Sequence, residues 1–315
     1  MTDYVVKYKI VNYTLFSEEF MSKVITRKKK TGKAMLGFLL VLLITAVILF
    51  SALVGAAFVI AKGPARAASA RLCATLAEKN YPMAGLFFSA EELGEAVFYM
   101  PPEVVESNIE LTAANKYKIS LHYIDDASYA WDAVVLTGID PASLSLDRGN
   151  RGVSESNYAF GLYGDPEAFI IGDFLSYRGE GDEIYCFCAM SDDGVLEVGA
   201  RTAYEAANSG YVWGIAVDRV LMQNSTPASD LGGGYASRVA IGQADDGSII
   251  LVFANDRGIY PAGITYDELT AIMLEYGAVN AAAIRAEGAF YSNGVGQLGS
   301  KDENGFTLTV EGGVR

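Results

Sequence analysis

Apolar and polar positions fall into three successive patterns along the chain. The first is an uninterrupted apolar run, Met35 to Ala61, with no charged residue. As a helix rising ~1.5 Å per residue it reaches roughly 40 Å, enough to cross a ~30 Å hydrocarbon layer with some tilt. A soluble core helix of that length would carry a polar face, so the run predicts a transmembrane helix over 35–61. A cleaved signal peptide is the competing reading, because Ala65-Arg66-Ala67 resembles a cleavage site. Signal-peptide apolar cores are nevertheless only ~7–15 residues long.

The second pattern, 62–115, opens on Gly63-Pro64, which interrupts a helix. A further helix is expected from about Ala65 to Lys79. Ser89-Ala-Glu-Glu92 has the form of a capping box opening a short helix, closed by Pro101-Pro102. This stretch reads as a helical stalk without chemistry of its own.

The third pattern, 116–315, consists of short strands punctuated by turns, and one arrangement occurs twice. Strand Glu183–Met190 meets Asp192-Asp193-Gly194 and returns as Val195–Val198. Then come a capping box at Thr202-Ala-Tyr-Glu205, a helix ending at Gly210 and a strand over Tyr211–Val217. In the second copy, Arg238–Gln243 meets Asp245-Asp246-Gly247 and returns as Ser248–Ala254. Its capping box is Thr265-Tyr-Asp-Glu268, and Leu269, Ile272 and Met273 form an apolar stripe. Gly277 stops the helix, and a further strand covers Val279–Ala286. Asp-Gly supplies the positive φ of a hairpin turn, and Thr with Glu three residues on satisfies two orphan backbone donors. Offsets between equivalent markers are unequal, which argues against a solenoid. The expected fold is α+β, with two strand–hairpin–helix–strand units in an extracytoplasmic domain over 116–315.

Charge sets the orientation. Arg27, Lys28, Lys29, Lys30 and Lys33 precede the apolar run, against Lys62, Arg66 and Arg71 beyond it. The positive-inside rule therefore predicts a single-pass cell-membrane protein, with a basic cytoplasmic tail over 1–33 and the C-terminal mass outside. That tail holds eight of the 24 basic and three of the 38 acidic residues, so it carries +5 and the remainder −19, which together give the net −14. A domain so acidic repels nucleic acid, while the tail suits anionic headgroups of a lipid bilayer.

Three cysteines, Cys73, Cys186 and Cys188, do not make a disulfide framework. Cys186 and Cys188 lie two apart in a strand-like run, where core packing, a strained local disulfide and a metal site are the alternatives. His122 is the single histidine, which excludes a His-rich zinc site and leaves almost nothing for a Ser/His/Asp triad. The two Asp-Asp-Gly sequences read as turn chemistry rather than a divalent-ion site. No cofactor is expected.

Two segments carry the candidate chemistry: Ser237-Arg-Val-Ala-Ile-Gly242, leading on to Phe253-Ala-Asn-Asp-Arg257, and Gly277 through Ser292. In this order, with a capped helix between them, they resemble the phosphodiester glycosidase family, related to the lysosomal uncovering enzyme that removes N-acetylglucosamine from a phosphodiester. Bacterial members are often labelled as exopolysaccharide-related. The resemblance covers roughly 117–315, and anchored members also resemble the stalk at Gly63-Pro64 and Ala84–Glu92. It implies that Arg238, Gly242, Asp256 and Arg257 occupy family positions. The signature loop, close to L-N-L-D-G-G-G-S-S in the family, departs from the pattern. Arg285 stands where the family has Asp, followed by Ala286, Glu287, Gly288, Ala289 and Phe290. The family's Asn-Gly-Gly turn is represented by Phe160-Gly-Leu-Tyr-Gly164, and its Ser-Phe-Gly-Pro strand end by Val212-Trp-Gly-Ile215.

Cleaving a sugar 1-phosphodiester needs cations or backbone donors on the phosphoryl oxygens and a carboxylate near the anomeric centre. Glycine runs let backbone N–H groups approach an anion. Arg for Asp is a change of two charge units, and side chains at 286 and 287 obstruct that approach. The expected binding set is Arg238, Arg257 and Arg285 with Gly242 and Gly288. Asp256 and Glu287 are the carboxylates left for catalysis, Glu287 sharing a strand face with Arg285. Three functions remain open: a catalytically impaired relative that binds envelope glycan or sugar phosphate, an active hydrolase with a relocated carboxylate, and a structural membrane scaffold.

Overall fold

The computed structural model describes residues 36–63, 66–78, 80–109, 111, 117–125, 129, 131–148, 158–163, 168–170, 184–256, 263–284, 287–292 and 306–310. The chain divides into two compact units, 1–65 and 66–315. Within the first, helix α1 (Leu36–Lys62) is long and apolar enough to cross a membrane, with a mean hydropathy of 2.9 over its most apolar window.

The second unit is a mixed α/β domain dominated by sheet. Helices α2 (Arg66–Glu78) and α3 (Ala90–Val97) precede strands β1 (Ser120–Ile124), β2 (Trp131–Ile139), β3 (Leu144–Arg148), β4 (Tyr158–Tyr163) and β5 (Ala168–Ile170). Then come β6 (Ile184–Ser191), β7 (Leu196–Thr202), α4 (Ala203–Ala207), β8 (Tyr211–Gln223) and β9 (Thr226–Pro227). The order ends with β10 (Arg238–Ala244), β11 (Ile249–Asp256), α5 (Tyr266–Glu275), β12 (Ala278–Ile284), β13 (Glu287–Ser292) and β14 (Phe306–Val310).

Local chemistry places the predicted caps. Ser89, Thr202 and Thr265 each accept from the backbone N–H three residues on, and Glu92, Glu205 and Glu268 each reach back to the cap N–H. At both hairpin turns the glycine N–H donates to a carbonyl three residues earlier, Gly194 to Ser191 and Gly247 to Ala244. Both glycines hold a positive φ, +85° and +83°, where a side chain would be strained.

One large sheet runs β1-β2-β11-β10-β12-β8-β6-β7, with β5 and β9 paired to β8. A second sheet runs β13-β4-β14-β3. Alternation along each strand divides the core between the faces of the large sheet. On one face Val239, Ile241 and Leu251 pack with Leu144, Leu146, Leu308 and Val310 of the small sheet. On the other, Ala240, Val252 and Ala281 lie under Leu269, Ile272 and Met273 of α5, the stripe read from the sequence. α4 covers a smaller cluster through Ala203 and Ala206 against Phe187 and Tyr211.

Described residues of the stretch 62–115, read from the sequence as a helical stalk, make contacts with the strand region. Thr75 Oγ1 accepts from Tyr235 N at 3.1 Å, and the Ala200 N–H donates to Pro102 O at 2.8 Å. The second contact covers part of the free edge of β7, whose unpaired backbone groups would otherwise face solvent. Cys186 and Cys188 lie on β6 without a disulfide between them, Cys188 fully enclosed and its thiol pushed well up by burial.

Candidate functional site

Position 238 opens β10, 256 closes β11 and 285 comes directly after the last residue of β12. Pairing brings these ends together: Arg238 lies opposite Ala254, Val239 opposite Ile284, and Asp256 opposite Trp131 at the head of β2. Backbone geometry therefore gathers candidate positions far apart in sequence at one end of the large sheet. Arg257 and Arg285 themselves lie outside the described residues, as does the side chain of Asp256.

Arg238 turns toward the helix side, where it is buried at 6% exposure. Its Nε donates to Ile264 O at 3.1 Å and its Nη2 to Gly234 O at 2.8 Å, while the guanidinium sits 3.5 Å from the Tyr266 ring centroid. The arrangement ties the head of β10 to the loop before α5 and to the first residue of that helix. This is structural work: Gly234 O gains a donor, and Ile264 O, which also accepts from Ala236 N at 3.3 Å, gains a second. Gly242 is equally internal. A Cβ there would lie 2.9 Å from Asn280 O of the neighbouring strand, so the glycine serves close strand packing.

A second arginine joins the cluster. The β8–β12 register shifts between Ala283 and Ile284, which pair with Arg219 and Val217, leaving Asp218 as an extra residue. That bulge reverses the facing of the residues beyond it, so Arg219 points to the helix side although Val217 packs between the sheets. Arg219, 7% exposed, donates to Leu231 O, Asp218 O and Val97 O at 2.8, 2.7 and 3.2 Å. Its guanidinium lies 5.1 Å from the Tyr266 centroid and 4.5 Å from that of Tyr99, and the Tyr266 hydroxyl donates to Asp218 Oδ2 at 3.3 Å. The Tyr99 hydroxyl accepts from Val220 N at 3.0 Å. Burial pushes the Tyr99 phenol up to about 12, with the Val220 hydrogen bond and the Arg219 cation pulling the other way. Sequence reading missed Arg219, though a signal existed. Asp218-Arg219 is the charged interruption in the otherwise apolar Tyr211–Gln223 strand.

β12 ends at Ile284, and β13 begins at Glu287 in the small sheet, where Glu287 pairs with Tyr163 and Gly288 with Leu162. The expectation that Arg285 and Glu287 share a strand face falls on Arg285, outside the described residues. One expectation changes. Phe160 to Tyr163, read as the counterpart of a turn, lie within β4. Asp192-Asp193 and Asp245-Asp246 occupy the hairpin turns, and among the described residues no group of three or more His, Cys, Asp or Glu is placed to hold a metal ion.

Residues 148–284, somewhat under half of the chain, match the family model for phosphodiester glycosidase. No curated protein matches the chain. Among solved structures, it is similar to the catalytic domain of zebrafish N-acetylglucosamine-1-phosphodiester alpha-N-acetylglucosaminidase. The identity is 14% and the TM-score 0.47, over 67% of this chain and 88% of that one. A hypothetical protein from Synechocystis matches at 14% identity and TM-score 0.34, over 61% of this chain and 62% of that one. An exported protein from Burkholderia pseudomallei matches at 13% and 0.22, over 66% and 61%.

Proposed function

We propose that this chain is a membrane-anchored member of the phosphodiester glycosidase family that binds sugar phosphate or anionic glycan at the cell envelope without hydrolysing it. In this reading α1 is the anchor, the basic tail lies in the cytoplasm and the acidic domain lies outside. The observation that carries it is at the end of β12. That strand ends at Ile284, opposite Val239, and the next residue in sequence is Arg285, where the family resemblance leads one to expect aspartate. A guanidinium can hold a phosphoryl oxygen in a bidentate fork but cannot take a proton from water. Arg238 adds support in a different way from that expected. It is buried and donates to two backbone carbonyls, so in this reading it supports the sheet end while Arg257 and Arg285 take the larger share in recognising an anion.

An active hydrolase is the second reading, and the position of Asp256 favours it. This residue ends β11 at the same sheet end, whereas Glu287 begins a strand of the other sheet. The test is incubation of the full-length protein with an N-acetylglucosamine 1-phosphodiester, monitoring both sugar release and binding by calorimetry. Binding without release is expected, weakened at least about ten-fold by Arg285→Ala, as the loss of one charge-assisted bond implies. Turnover by the unaltered chain that disappears in Asp256→Asn would establish the hydrolase instead.

A further inference from the structure

The head of β2 carries a feature that the cluster around Tyr266 does not use. Tyr129 and Trp131 are stacked, with ring centroids 4.5 Å apart and planes inclined by 12°. Trp131 belongs to the helix-side core at 4% exposure, while Tyr129 is 43% exposed, so the stack runs from the interior to the surface. The indole Nε1–H of Trp131 is buried and has no hydrogen-bond partner among the described residues. Buried indole donors ordinarily find an acceptor, and a phenylalanine would fill a purely apolar position without leaving one orphaned. The stack also has an informative address. Trp131 pairs with Asp256, which puts it at the end of the sheet where Arg238 begins β10 and Ile284 ends β12.

We infer that Tyr129 and Trp131 form a saccharide subsite beside the phosphate-binding position, an assignment that rests on the proposed reading of this sheet end as a glycan site. The exposed Tyr129 ring offers a flat apolar surface to the C–H face of a pyranose. Trp131 Nε1–H supplies the donor for a ring substituent, the hydroxyl or acyl carbonyl oxygen of the sugar. Such a ligand suits a strongly acidic domain better than a bare anion, because the stack and a neutral donor bind sugar without needing net positive potential. Nε1 is buried beneath the stack, so a sugar oxygen reaches it through a small turn of the stacked pair. That movement would change indole emission.

The chain has two tryptophans, so Trp213→Phe leaves Trp131 as its only indole. Full-length protein with this substitution would be titrated separately with N-acetylglucosamine 1-phosphate, N-acetylglucosamine and inorganic phosphate. Saturable emission changes are expected with both sugars and none with phosphate. Tyr129→Ala, a surface change, should weaken sugar binding by roughly ten-fold, the scale of one aromatic contact. By calorimetry, Trp131→Phe should weaken it several-fold while keeping the ring. Equal sugar affinity in the unaltered chain and Tyr129→Ala would overturn the subsite alone. A response reproduced in full by phosphate would also overturn it. No binding of either sugar by the unaltered chain would remove both the subsite and the reading of the site on which it rests.

Discussion

The segments β6–β7–α4–β8 and β10–β11–α5–β12 use the same parts: a hairpin closed by Asp-Asp-Gly, a helix opened by a Thr/Glu capping box, and a return strand. In the large sheet they meet through their return strands, in the order β7-β6-β8-β12-β10-β11. Their surroundings differ. β10 and β12 are buried at every position, whereas β6 begins exposed and β7 is only intermittently buried. α5 spans ten residues with five buried, and α4 spans five with two. The second segment is covered on both faces, by α5 and by the small sheet, so it must carry its polar groups internally. Arg238, Gln243 and Asn280 are all buried there. Gln243 accepts from Leu196 N and donates to Gly194 O and Gly247 O, joining the turns of both hairpins. One supersecondary pattern thus yields a framework in the middle of a sheet and a cover at its edge, according to how many of its faces find partners.

The contrast is sharpest for arginine. Replacing Arg238 by Met should cost about 2–4 kcal/mol, since a buried side chain loses its hydrogen bonds to Gly234 O and Ile264 O and its contact with the Tyr266 ring. Arg201→Ala, which removes a half-exposed bridge of 3.2 Å to Glu197, should cost less than about 1 kcal/mol. Urea unfolding of both variants measures the difference, and equal costs would abolish the distinction between framework and cover.

Caps come next. Thr265→Ala should destabilise by roughly 1–2 kcal/mol and Thr202→Ala by about 0.5–1 kcal/mol, because loss of a cap matters more where the helix anchors a core. Thermal unfolding of the two variants orders them.

The smallest effect is electrostatic. The Glu205 carboxyl is held below its ordinary value of 4.5, chiefly by the Thr202 backbone N–H and then by the Thr202 hydroxyl. A depressed carboxyl contributes stability that is present above pH 4.5 and lost as pH falls below it. Glu205→Gln should therefore narrow the difference in melting temperature between pH 7 and pH 4, with hydrogen exchange in α4 reporting the same change. An unaltered pH profile would mean that the box contributes through geometry alone.

Local physics made much of this fold legible in the order of residues. The charge-free run of α1, the capping residues Ser89, Thr202 and Thr265, and the turn glycines Gly194 and Gly247 all act within a few residues of themselves. Their sequence neighbours therefore sufficed to place them. The positions gathered at the sheet end could be named from a family resemblance, but their occupations could not. Arg238 looked available for a ligand because its partners, Ile264 O, Gly234 O and the Tyr266 ring, are set by the tertiary fold. Arg219 went unnoticed because a bulge at Asp218 decides its facing, and a bulge exists only relative to the partner strand β12. Sequence by itself determined the segments that close on themselves and the sign of each charge. Tertiary structure decided which strands became central, which cations were consumed in the core, and which donor was left without an acceptor, because those outcomes depend on contacts between residues that only folding brings within reach.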